Sequence, residues 1–129
     1  MKSYTNLEQS QKLAKILQIN SADMYYYTVN GDWEWYETPN VIERRDDLEE
    51  HAMPAWSLAA LMEVLPSYIG DCHKTLYYDN GEWYCTYSDG YCTYSDDGEF
   101  MITIDETHAN SAIDAVVEMI LQLKEKDLI

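Results

Sequence analysis

Cys72, His73, Cys85, Cys92 and His108 are the residues whose types could support metal or thiolate chemistry. Structural zinc sites pair their ligands about two to four residues apart. Here the one close pair, Cys72-His73, is adjacent, and Cys85 and Cys92 stand at equivalent places in a repeat. The spacing predicts small apolar cysteines on strands rather than a metal site. A nucleophilic thiolate needs an activating base beside it. Neighbours on a strand point to opposite faces, so the adjacency of Cys72 and His73 argues against a dyad. Gly31, Gly70, Gly81, Gly90 and Gly98 are isolated turn residues and form no phosphate-cradling loop. Carboxylate pairs occur at Asp46-Asp47, Asp96-Asp97 and Asp105-Glu106, and Asp89 to Glu99 lacks the ligand pattern of a calcium loop. The expectation is a protein that is not an enzyme, with no catalytic residue, no metal and no cofactor.

The aromatic residues carry more information. Twelve Tyr and four Trp accompany one Phe. Tyr and Trp join an apolar body to a polar tip and are enriched at protein interfaces. Trp33 and Trp35 fall on one strand face, with Tyr36 opposite, and Trp83 and Tyr87 share a face, with Tyr84 opposite. One face must cover the core helices, which leaves aromatics on the other. Charge adds to this. Twenty-four acids against eight bases give a formal net charge of −16, which disfavours direct binding to nucleic acid or an anionic membrane. The same charge suits a surface that meets a basic protein. Trp33, Trp35, Asp46, Asp47, Glu49, Glu50, Trp83, Asp96 and Asp97 are the expected partner-binding residues.

The chain of 129 residues is the length of one domain, read as residues 1–129. With 47% hydrophobic residues it has enough for a core. The longest nearly apolar stretch, Met53 to Leu65, is shorter than the roughly 20 residues of a membrane span. The first residues carry no secretory-signal pattern. An odd cysteine count without such a signal points to reduced thiols and a cytoplasmic location.

Local signals then place the elements. Thr5-Asn6-Leu7-Glu8 has the form of a capping box that opens a first helix ending near Gln18. Met24 to Val29, Asn30-Gly31 and Trp33 to Glu37 read as a β-hairpin. Thr38 to Glu50 reads as a loop with some helix. A second, largely apolar helix is expected from Pro54, at its first position, to Pro66. Thr75–Tyr78, Glu82–Tyr87, Tyr91–Tyr94 and Glu99–Ile104, separated by turns containing glycine, read as an antiparallel meander. Within it, Tyr84 to Gly90 is repeated almost unchanged at Tyr91 to Asp97, a duplicated strand and turn. Asn110 is the expected N-cap of a last helix, Ser111 to Lys126, with Ile113, Val116, Val117, Ile120 and Leu121 as its apolar stripe. The fold class is α+β: an antiparallel sheet, made of the N-terminal hairpin and the C-terminal meander, packed against about three helices.

Pro54 to Leu61 with Leu65-Pro66, and Asn110 to Ile120, together with the Tyr/Trp-rich hairpin between them, resemble short acidic proteins from gut bacteria and their phages or mobile elements. The resemblance implies no activity, and the repeat at Tyr84 to Asp97 departs from the usual hairpin length. The functional expectation is an acidic interaction protein that binds or inhibits a basic partner, as immunity proteins and nucleic-acid mimics do. The alternatives are a small-ligand or carbohydrate-binding module with an aromatic sheet face, and a structural component of a phage or mobile element.

Overall fold

The computed structural model describes residues 2–27, 38–41, 52–70, 72–87, 91–93 and 101–129. The described residues form three α-helices and antiparallel sheets, an α+β fold. The chain divides into two compact units, Ser3–Ala60 and Met1–Lys2 with Leu61–Ile129.

In the Ser3–Ala60 unit, helix α1 spans Leu7–Ala14. Its capping box is one residue later than Thr5 and Glu8 suggest. The Asn6 side chain accepts the Gln9 N–H at 2.8 Å, and the Gln9 side chain accepts the Asn6 N–H at 3.1 Å. Thr5 is buried and has another task. Its hydroxyl lies 2.8 Å from Ser10 Oγ and accepts the Trp56 N–H at 3.1 Å. Its carbonyl accepts the Tyr26 hydroxyl at 2.8 Å. Buried polar groups need such partners, and this demand outweighed a local cap at Thr5. The helix ends at Ala14, short of Gln18, and a 3₁₀ turn follows at Ile19–Ser21.

The sheet of this unit has the order β2-β1-β3, with β1 at Met24–Tyr26, β2 at Asn40–Val41 and β3 at Met53–Ala55, all antiparallel. Thus Asn40–Val41, expected in a loop, is a strand, and the hairpin arm expected at Trp33 to Glu37 lies outside the described residues. Pro54 also differs from expectation. It lies in β3 opposite Tyr25, on an edge strand where its missing N–H costs the ladder nothing. Helix α2 begins four residues later, at Leu58–Val64. Ser57 is its cap: Ser57 Oγ accepts the Ala60 N–H at 3.3 Å. The Asp23 carboxylate anchors that cap by accepting the Ser57 N–H at 2.8 Å and its hydroxyl. Leu13, Ala22, Tyr26, Ala55 and Trp56 fill the core.

In the other unit, β4 (Tyr68–Ile69), β5 (Cys72–Asp79), β6 (Glu82–Tyr87) and β9 (Thr107–Ala109) form a four-stranded antiparallel sheet in that order. β7 (Tyr91–Thr93) and β8 (Met101–Thr103) form a separate two-stranded ribbon. The expected meander is therefore interrupted. The second neighbour of β6 is β9, not β7, and the two copies of the repeat begin in different sheets. The physical reason is helix α3 (Ala112–Glu125), which follows β9 closely. Ile113, Val116, Val117, Met119, Ile120 and Leu123 are all buried on it. Docking that stripe on the sheet brings the strand just before it to the edge of β6. Thr107 secures the join, its hydroxyl donating to the Ala115 carbonyl at 2.7 Å. The N-cap of α3 is Ser111 rather than Asn110, with Ser111 Oγ accepting the Asp114 N–H at 3.1 Å.

The β5–β6 hairpin turns at Asn80 (φ 51°) and Gly81 (φ 87°), the two positive angles that a two-residue turn of this hand requires. A Cβ at Gly81 would meet nothing within 4 Å, so the demand on that residue is conformational alone. Gly81→Ala is expected to cost about 1–2 kcal/mol in urea unfolding, through backbone strain. A loss near zero would mean that the turn relaxes.

Candidate functional site: an aromatic ladder on a sheet face

Strand pairing decides which side chains share a face. Tyr77 is paired with Tyr84, and Tyr84 with His108. Leu76, Cys85 and Thr107 form the next row and point to the opposite face. That opposite face is the one α3 covers: Cys85 and Tyr87 are fully buried, and Tyr87 donates its hydroxyl to the Pro66 carbonyl at 2.7 Å. Lys74, also on this side, donates to the carbonyls of Met62 and Leu65 at the end of α2.

The other face carries a ladder of rings. Tyr77 stacks on Tyr84 with centroids 5.1 Å apart and planes at 11°. His108 follows at 5.7 Å and 35°. Carboxylates flank the ladder on two sides. On the turn side Asp79 is paired directly with Glu82, and Glu82 Oε2 lies 3.0 Å from His108 Nδ1. On the other side Glu106 accepts the Tyr77 hydroxyl at 2.8 Å. That bond, then burial and the charges of Glu106 and Asp79 among others, push the Tyr77 hydroxyl up to about 12. Tyr84 is raised as well, first by burial and then by Glu82, Asp79 and Glu106. Both phenols therefore stay protonated in a strongly negative field. Tyr77 is 37% exposed, and Tyr68, on the same face of β4, is 68% exposed.

Of the nine residues expected at the binding surface, Trp83 alone is described. It sits half-buried on the helix-covered face at the turn end, 5.3 Å from the ring of Tyr78, which is 60% exposed. Trp33, Trp35, Asp46, Asp47, Glu49, Glu50, Asp96 and Asp97 lie outside the described residues. The ladder is built from others: Tyr77, Tyr84 and His108 with Asp79, Glu82 and Glu106. Half of it was within reach of sequence reasoning, because pairing outward from Asn80-Gly81 sets Tyr77 against Tyr84. His108 carried no such signal, since Thr107-His108-Ala109 has neither the length nor the pattern of a strand.

The two described thiols sit apart from this surface. Cys72 and Cys85 are buried, whereas His73, next to Cys72, is exposed. Among the described residues no group of three or more His, Cys, Asp or Glu could hold a metal ion, and no helix is long and apolar enough to cross a membrane. Compared with family models, curated proteins and solved structures, the chain matches none.

Proposed function

We propose that this chain is a non-enzymatic acidic interaction protein, of cytoplasmic and mobile-element origin, that binds or inhibits a basic partner protein. The observation that carries the reading is the ladder Tyr77–Tyr84–His108 set between the carboxylates of Asp79, Glu82 and Glu106 on a sheet face that α3 leaves uncovered. Exposed aromatics supply contact area at low entropic cost, and desolvated Tyr is a frequent hot spot. The acidic rim and the net charge of −16 speed encounter with a basic surface and set its orientation. A platform of stacked rings also suits a neutral sugar, which is the second reading.

The two separate on salt. A basic protein captured at low salt should leave the column as salt rises, because screening weakens exposed charge pairs. Tyr84→Ala should weaken its binding by about thirtyfold, and the triple change Asp79→Asn, Glu82→Gln, Glu106→Gln should flatten the salt dependence. Retention that ignores both salt and these substitutions would reject docking through this face.

A further inference from the structure

Resting on the basic-partner reading, we propose that the ladder is an arginine site: it takes the guanidinium group of an arginine side chain on the partner protein. Three observations lead there. First, Asp79 and Glu82 face each other directly across β5 and β6. Like charges so placed are destabilising. Second, the residues that β4, β5, β6 and β9 place on this face are Tyr, His, Thr, Asp and Glu, with no lysine or arginine among them. Among the described residues on this face, His108 lies beside the pair, its Nδ1 3.0 Å from Glu82 Oε2. An incoming cation would offset the Asp79–Glu82 repulsion as it binds. Third, the carboxylates retain capacity. A carboxylate offers about four acceptor positions. Glu106 uses one on the Tyr77 hydroxyl, and Glu82 one on His108.

The ring surface then selects among cations. Guanidinium is planar, weakly hydrated and forked. It stacks on aromatic rings and bonds two carboxylate oxygens at once. An ammonium is a compact, strongly hydrated point charge, which gains the Coulomb attraction but little from the stacked geometry. A metal ion is disfavoured because no described cluster of three ligands exists. The ladder and the opposed carboxylates therefore match a flat, two-pronged cation better than a round one.

The test uses the full chain titrated with hexa-arginine, hexa-lysine and a neutral hexasaccharide, following the ring resonances of Tyr77, Tyr84 and His108 by NMR. Hexa-arginine should move all three and bind about tenfold more tightly than hexa-lysine. Tyr84→Ala and, separately, Glu82→Gln should bring it down to the lysine level, with the urea midpoint held or raised to show that each variant is folded. Equal binding of the two peptides at the ladder would overturn the guanidinium preference and leave basic docking standing. Ladder rings that respond to neither peptide would overturn both. A response to the neutral sugar alone, unaffected by salt, would also overturn both and assign the face to carbohydrate.

Discussion

Replacing Trp56 with alanine is expected to lower the free energy of unfolding by about 3–5 kcal/mol. Trp56 is completely buried, and its indole N–H donates to Ser21 Oγ at 3.0 Å. Its backbone is tied on both sides to Thr5: the Trp56 N–H reaches the Thr5 hydroxyl, and the Trp56 carbonyl accepts the Thr5 N–H at 2.9 Å. Truncation therefore opens a cavity where the N-terminal segment is fastened to the end of β3. Against a domain stability of about 5–15 kcal/mol, this is a large share. Trp56→Phe separates the two contributions. It keeps most of the ring volume and loses only the bond to Ser21, whose half-buried hydroxyl can turn to water. It should recover more than half of the loss. Urea unfolding followed by far-ultraviolet circular dichroism reads both variants. An alanine variant within about 1 kcal/mol of the parent would mean that the site collapses around the missing ring.

Alkaline conditions should expose the second large effect. Burial, partly offset by the Lys74 ammonium, pushes the Cys85 thiol from its ordinary 9.0 up to about 12. The native thiol holds its proton at pH values where the unfolded chain has lost it. Above pH 9 the native state thus binds more protons than the unfolded state, so stability falls as pH rises, until the native thiol itself ionises near 12. The slope for one such group is about 1.4 kcal/mol per pH unit. Tyr26, also raised by burial first, acts in the same direction. Unfolding at pH 8, 9, 10 and 11 should show the parent losing stability more steeply than Cys85→Ala. Parallel curves would remove Cys85 as the cause. Below pH 9 the same burial should keep this thiol unreactive towards alkylating reagents in the native protein.

The successes and failures of sequence reading divide along the range of the interactions involved. Helix α3 was legible because its apolar stripe repeats at helical spacing, although Leu121, expected in the stripe, is half-exposed and Met119 and Leu123 are buried instead. The β5–β6 turn was legible because Asn80-Gly81 is one of few pairs that accept two positive φ angles. The first helix was found, but it ends at Ala14 rather than near Gln18, and its cap is Asn6 rather than Thr5. Thr5 has the right chemistry for a cap, and only the fold shows that Trp56 and Ser10 claim its hydroxyl. Pro54 misled in the same way. Proline suits a helix start and an edge strand alike, and pairing with Tyr25 chose the strand.

The amino-acid sequence by itself determined the α+β class, most of the α3 stripe, a glycine-containing turn at Asn80-Gly81 and the acidic, tyrosine-rich composition of the chain. These follow from local backbone preference, periodicity and composition. Tertiary structure alone decided that β9 rather than β7 lies beside β6. That pairing depends on where α3 buries its stripe, and it brings His108 into line with Tyr84 and Tyr77. The ladder exists because residues far apart in the chain share one sheet register, and contacts of that kind have no local signature to read.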